Sequence, residues 1–176
     1  MSVRCPRPEP RGERATGAPP TEGSTSVSIT TASITDVSDR YYAALNSRDW
    51  AAYDQLLTAD AALEGPGGVA GNGADAFRDF DGAFVTAASD FRLTALNVYA
   101  VGDASNGRVA YELRATGTHD GPLVTPQGPI EATGNRVDLK GAGVFEIRDG
   151  RIVGQRVYFD RLELVEQITG ALSAAV

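Results

Sequence analysis

The chain has 176 residues, 42% of them apolar, one cysteine and a formal charge of −7. That length points to one domain with an ordinary core. Residues 1–32 carry Arg4, Arg7, Arg11 and Arg14 against Glu9, Glu13 and Glu22, so the remainder holds −8, and a body that acidic argues against nucleic acid as a partner.

Residues 1–32 hold five of the nine prolines and none of the thirteen aromatics. Such a segment buries too little to offset its ordering entropy, so the expectation is a disordered arm over 1–32 and a single folded domain over 33–176. Cys5 can close no internal disulfide. No run reaches the ~18 apolar residues of a membrane span, and no apolar signal core is present. The expectation is a cytoplasmic protein with no membrane partner.

From about Thr35, "TDVSDRYYAALNSRDW" puts Val37, Tyr41, Ala44 and Leu45 on one helical stripe, ended by Asn46-Ser47. A short helix from about Asp49 carries Trp50, Tyr53, Leu56 and Leu57. "AALEGPGG" reads as a short strand stopped at Gly65-Pro66. "GPGGVAGNG" lacks the Lys-Ser/Thr of a phosphate loop and reads as a plain loop. A third helix follows Asn72, with Phe77, Phe80 and Phe84 at helical spacing. Four strands come next, "FRLTALNVYAVGD", "GRVAYELRATGTHDG", "NRVDLKGAGVFEIRDG" and "GRIVGQRVYFD", with turn signals at Asn106-Gly107 and Asp149-Gly150. A last helix is predicted from about Arg161 to Gly170. Helices followed by a meander predict an α+β fold: a curved, mostly antiparallel sheet folded against three N-terminal helices into a cone with a pocket at its wide end.

Strand alternation assigns the walls of that pocket. Val109, Tyr111, Leu113, Ala115, Gly117 and His119 share one face, unless a bulge near Gly117 turns His119 away. Val137, Leu139, Gly141, Gly143, Phe145 and Ile147 form the next apolar face. If Asp160 points inward, so do Tyr158, Arg156, Gly154 and Ile152. The expected wall is apolar, with Leu63 from the first strand, and with Tyr111, Tyr158, Arg156, Asp160 and His119 as polar exceptions. Its ligand would be largely hydrophobic with a few oxygens.

Three stretches resemble branches of one superfamily, SnoaL-like and NTF2-like, over roughly residues 35–170. "RYYAALNSRDW" through "ADAALEGPGG" resembles the opening of ketosteroid isomerases, which places Tyr41 on an oxyanion-donating tyrosine. That family's base aspartate falls on Gly65 and its second hydrogen-bond-donating aspartate on about Gly143. "GVFEIRDGRIVGQRVYFDRLEL" is similar to limonene epoxide hydrolases, with Asp160 on one of two catalytic aspartates. The other members of that site fall on Leu113, Ala115, Leu63 and Gly65. "GTHDG", "ATGNRV", "DGRIV" and Asp160 in that order resemble SnoaL-like polyketide cyclases. The resemblance implies an NTF2-like cone and a metal-free, cofactor-free aldol ring closure with the aspartate as acid/base. It also implies a homodimer, in keeping with the outward strand residues.

Asp160 has two readings. "DRLE" (Asp160 to Glu163) fits a capping box, worth ~1 kcal/mol; a desolvated carboxyl in an apolar pocket would instead suit acid/base work. The candidate catalytic set is Asp160, Tyr41, His119 and Arg156, and the candidate pocket Leu63, Tyr111, Leu113, Ala115, Leu139, Gly143, Phe145 and Tyr158. His119 is the one histidine and by itself makes no metal site. The expected function is a cofactor-independent cyclase or isomerase acting on a small hydrophobic polyketide-like substrate. The alternatives are an epoxide-opening or pyran-forming enzyme and a non-catalytic ligand-binding or dimerisation module.

Overall fold

A computed structural model describes residues 33–125 and 128–171. The predicted arm over 1–32 lies outside the described residues. The elements run α1 (Ile34–Ser47), α2 (Trp50–Gln55), β1 (Leu57–Gly65), β2 (Val69–Asn72), α3 (Gly73–Ala87), β3 (Arg92–Gly102), β4 (Asn106–Thr118), β5 (Leu123–Thr125), β6 (Gly128–Ile130), β7 (Arg136–Arg148), β8 (Arg151–Phe159) and α4 (Arg161–Thr169). No helix among them is long and apolar enough to cross a membrane.

Local chemistry sets the boundaries. Ser33 caps α1 in a capping box with Asp36, and α1 ends at Arg48 in the left-handed region (φ 61°). Arg48 holds that conformation by donating to the carbonyls of Leu45, Asn46, Ser89 and Phe91. Asp49 caps α2 through the Ala52 amide. Asp149 and Gly150 both have positive φ and turn β7 into β8 as predicted. The Asn106-Gly107 signal is displaced: the turn is Asp103–Ser105, where Asp103 Oδ1 accepts from the Ser105 and Asn106 amides, and Asn106 already begins β4. The glycine-rich segment is a hairpin, β1–β2, with Gly67 and Gly68 at positive φ in its turn. The β5–β6 hairpin left no period long enough to read in advance.

Six strands form one sheet in the order β2-β1-β8-β7-β4-β3, antiparallel except for β1 alongside β8. α1 lies over β3 and β4, α3 over β1, β2 and β5, and α4 over β7. The fold is the expected α+β NTF2-like cone. Val37, Tyr41 and Leu45 of α1 and Phe77 of α3 bury against the inner faces of β4 (Val109, Tyr111, Leu113) and β7 (Phe145, Ile147), while Leu139 packs with Leu123, Leu164 and Ile168. Alternation along β4 and β7 follows the sequence reading residue by residue, and His119 stays on the inner face, buried.

β8 departs from it. Ile152 pairs with Ile147 but Gly154 pairs with Glu146, so Val153 is an extra residue, a β-bulge. Beyond the bulge the alternation inverts. Gln155 and Val157 face inward opposite Phe145 and Gly143, while Arg156 and Tyr158 face outward opposite Val144 and Ala142. The expected inward orientation of Arg156, Tyr158 and Asp160 is therefore overturned. Arg156 Nη2 donates to Glu146 Oε1 at 2.9 Å on the outer face, and Tyr158 is 59% exposed.

Candidate functional site

At the inner end of the cone a carboxyl group is buried among phenols, and it is Asp81, not Asp160. Asp81 is on the buried stripe of α3, four residues after Phe77 and three before Phe84, and is 5% exposed. Its Oδ2 accepts from the Tyr53 hydroxyl at 2.6 Å and, by a shorter bond, from the Tyr41 hydroxyl. Tyr53 and Tyr41 stand 3.0 Å apart, oxygen to oxygen. Gln155 extends the chain: Oε1 is 3.2 Å from the Tyr41 hydroxyl and Nε2 donates to the Tyr111 hydroxyl at 2.8 Å. Phe145 packs against both Tyr41 and Tyr111, with ring centroids 4.9 and 4.8 Å away.

Burial dominates the electrostatics. Desolvation pushes the Asp81 carboxyl up to about 6 against the opposing hydrogen bonds from Tyr41 and Tyr53. Desolvation, reinforced by the Asp81 charge, also raises Tyr41 and Tyr53 above the ordinary tyrosine range, so both stay protonated and can only act as neutral donors. Each phenol has a single proton. When Asp81 is ionised both protons go to it, and the Gln155 amide must turn its nitrogen to Tyr41 and its oxygen to Tyr111. When Asp81 is protonated, its proton goes to Tyr41, that of Tyr41 to Gln155 Oε1, and a Gln155 amide proton to Tyr111. The network has a consistent donor order in both states.

A cavity of about 60 Å³ adjoins this cluster, lined by Tyr41, Tyr42, Asp81, Tyr111 and Gln155 on its polar side and by Leu113, Ala115, Leu139 and the rings of Phe80, Phe84 and Phe159 on the other. Tyr42 is 6% exposed, and its hydroxyl lies beside that of Tyr111. A smaller space of about 30 Å³ lies across Phe84 and Phe91 and contains His119. His119 Nδ1 meets the Thr133 amide at 3.3 Å and the Thr133 hydroxyl at 3.1 Å, and that hydroxyl donates to the Ile168 carbonyl. The other ring nitrogen, Nε2, is buried and without a hydrogen-bond partner within the described residues. An outer groove of about 410 Å³ shares Phe80, Phe84, Phe159 and Leu164 with the inner cavity.

The other expected site residues are dispersed. Asp160 is exposed, and its Oδ1 accepts from the Leu162 and Glu163 amides at 2.8 and 3.1 Å: it caps α4. Leu63 lines the outer groove rather than the inner cavity. Gly143 lies beneath Tyr111, where a Cβ would collide with the phenol. Tyr111, Leu113, Ala115 and Leu139 line the inner cavity as predicted. Asp81, Tyr42, Tyr53 and Gln155 were not anticipated. For Asp81 the signal was present, since an acid on a Phe-rich helical stripe is either an error of phase or a buried functional group. Among the described residues no cluster of three or more histidine, cysteine or acidic side chains is arranged to hold a metal ion.

Residues 38–155 match the family model of the SnoaL-like domain. The chain belongs to the SnoaL-like family. Solved structures agree with this SnoaL-like fold. A proposed SnoaL-like polyketide cyclase from Jannaschia sp. CCS1 is 18% identical with a TM-score of 0.66, over 77% of this chain and 91% of that one. IdmH, a proposed polyketide cyclase from Streptomyces antibioticus, is 23% identical with a TM-score of 0.64, over 77% and 98%. AclR, a proposed hydroxylase from Streptomyces galilaeus, is 20% identical with a TM-score of 0.63, over 78% and 96%. At these identities the likeness is one of fold, and no curated protein matches the SnoaL-like sequence.

Proposed function

We propose that this SnoaL-like protein is a cofactor-independent cyclase or isomerase that closes a ring in a small, mostly apolar polyketide-type substrate, with Asp81 as the acid/base group. One observation carries the reading. The Asp81 carboxyl is fully enclosed beside an apolar cavity, two phenols hold it, and desolvation brings it to about 6, where it is ionised at neutral pH yet basic enough to take a proton. Asp81 removes a proton α to a carbonyl; the C–H electron pair moves to the carbonyl oxygen, which Tyr41 meets as donor. Proton uptake by Asp81 releases the Tyr41 proton from the carboxylate, so the donor is freed as the enolate forms. The enolate carbon then attacks a second carbonyl, the C–C bond closes, and the new alkoxide takes the proton back from Asp81. Tyr42, which lines the same cavity, would offer its hydroxyl to a further substrate oxygen.

The test is deuterium incorporation at the α-carbons of 2-tetralone in D₂O, followed by proton NMR. The wild type and Asp160→Ala should accelerate exchange, and Asp81→Asn should not. Exchange that survives in Asp81→Asn, or disappears in Asp160→Ala, overturns the assignment.

Epoxide opening needs one carboxyl to activate water and a second to protonate the oxygen; Asp81 is the one carboxylate among the residues lining the inner cavity. A non-catalytic module has one observation in its favour: the inner cavity, about 60 Å³, is well below the ~300 Å³ of an ordinary ligand site. That reading expects no exchange with any variant. The homodimer is a proposal supported by the outer sheet face, where Tyr99, Val101 and Tyr158 are 62%, 70% and 59% exposed. Sedimentation velocity of Tyr99→Glu against wild type tests it, with a monomeric wild type as the contrary result.

A further inference from the structure

The outer groove, about 410 Å³, is mostly apolar, walled by Val69, Ala76, Phe80, Phe84, Phe159 and Val165. Among its lining residues the one cation is Arg161 and the one anion Asp79. The two are not paired with each other, and Arg161 has no hydrogen-bond or ion-pair partner within the described residues. The Arg161 side chain is exposed, but its position at the groove is set by its neighbours in the chain. Its backbone opens α4, whose first turn is fixed by the Asp160 cap. Its guanidinium lies against the β1–β2 turn, so close to Gly67 (φ 78°) that a Cβ there would overlap it. A planar fork with five donors, lining a mostly apolar groove, is suited to bidentate recognition of a carboxylate. Asp79 has no comparable support.

We infer that the groove seats an apolar carboxylic acid, its hydrocarbon part along the Phe80–Phe84 wall and its carboxylate on Arg161. The occupied groove would meet the inner cavity at Phe80, Phe84, Phe159 and Leu164, so an acid held there has its chain directed at those four side chains. The site stands apart from the Asp81 chemistry and does not depend on it.

The experiment compares octanoate with 1-octanol as probes, by calorimetry at low ionic strength. The wild type should bind octanoate about five- to tenfold more tightly than octanol, the margin of one partly desolvated charged hydrogen-bonding pair. Added salt should narrow that margin. Arg161→Gln should abolish the preference while leaving the octanol affinity unchanged, which also shows that the groove remains intact. Asp79→Asn should preserve or enlarge the preference. Equal affinities in the wild type, absence of octanoate binding, or a preference that persists in Arg161→Gln overturns the inference. Asp81→Asn should leave the octanoate preference intact, so failure of the acid/base reading and failure of this one are read separately.

Discussion

The Tyr53 hydroxyl donates to Asp81 Oδ2 at 2.6 Å, joining α2 to α3 inside the domain. Burial raises the carboxyl and this bond opposes that rise. Tyr53→Phe should therefore move the Asp81 midpoint above about 6 and cost roughly 1.5–3 kcal/mol, the range for a hydrogen bond to a charged group. The ¹³C carboxyl shift of Asp81 against pH gives the midpoint, and urea titration at pH 8 gives the stability. A midpoint that stays or falls would show that the phenol does not hold the ionised form.

The same carboxyl makes stability depend on pH. An acid raised from 3.8 to about 6 binds its proton more tightly in the folded state, so between those values the folded protein holds more protons than the unfolded chain. Its contribution is greatest at low pH and falls as pH rises through about 6, by roughly 3 kcal/mol in total. Asp90, Asp120 and Asp138 act oppositely: hydrogen bonds from Thr118, Ser89 and Arg114 lower them, and their contribution is lost as pH falls through their folded-state values. The difference between wild type and Asp81→Asn isolates the first effect. Relative to the variant, wild type should lose stability steadily from pH 4 to pH 7 in denaturant titrations.

Gly143 tests how the phenol network is seated. A Cβ there would collide with the Tyr111 hydroxyl and come within 2.6 Å of the Arg156 carbonyl. Gly143→Ala should cost about 1–3 kcal/mol by overpacking and should displace Tyr111 from Gln155. Paired with Tyr111→Ala, which removes the colliding ring, the two changes should add to less than their sum in thermal unfolding. Full additivity would place the strain at the backbone carbonyl instead.

The fold could be read from the sequence because its signals are periodic. Alternation along β4 and β7 assigned Tyr111, Leu113, Leu139 and Phe145 to the interior, and Asp49, Asn72 and Asp149-Gly150 marked element ends. The site was harder to read because β8 changes phase at Val153, a residue with no sequence signature of a bulge. Unbroken alternation back from Asp160 predicts Tyr158 and Arg156 on the inner face, where the bulge puts Val157 and Gln155. Asp81 shares its helix with the exposed Asp75 and Asp79, and only its spacing from Phe77 and Phe84 sets it apart from them.

Asp160 and Asp81 should therefore respond in opposite ways to removal of the charge. Asp160 serves the Leu162 and Glu163 amides, so Asp160→Ala should cost ~1 kcal/mol of stability through the lost cap and leave α-proton exchange near the wild-type rate. Asp160→Asn, which can still accept from those amides, should recover most of that stability. Asp81→Asn should do the reverse: it removes a buried charge, so stability at pH 7 should hold or rise while exchange is lost. Thermal melts of the three variants beside their 2-tetralone exchange rates provide the comparison. Loss of both stability and exchange in Asp160→Ala, with exchange unaltered in Asp81→Asn, would return the chemistry to the end of β8.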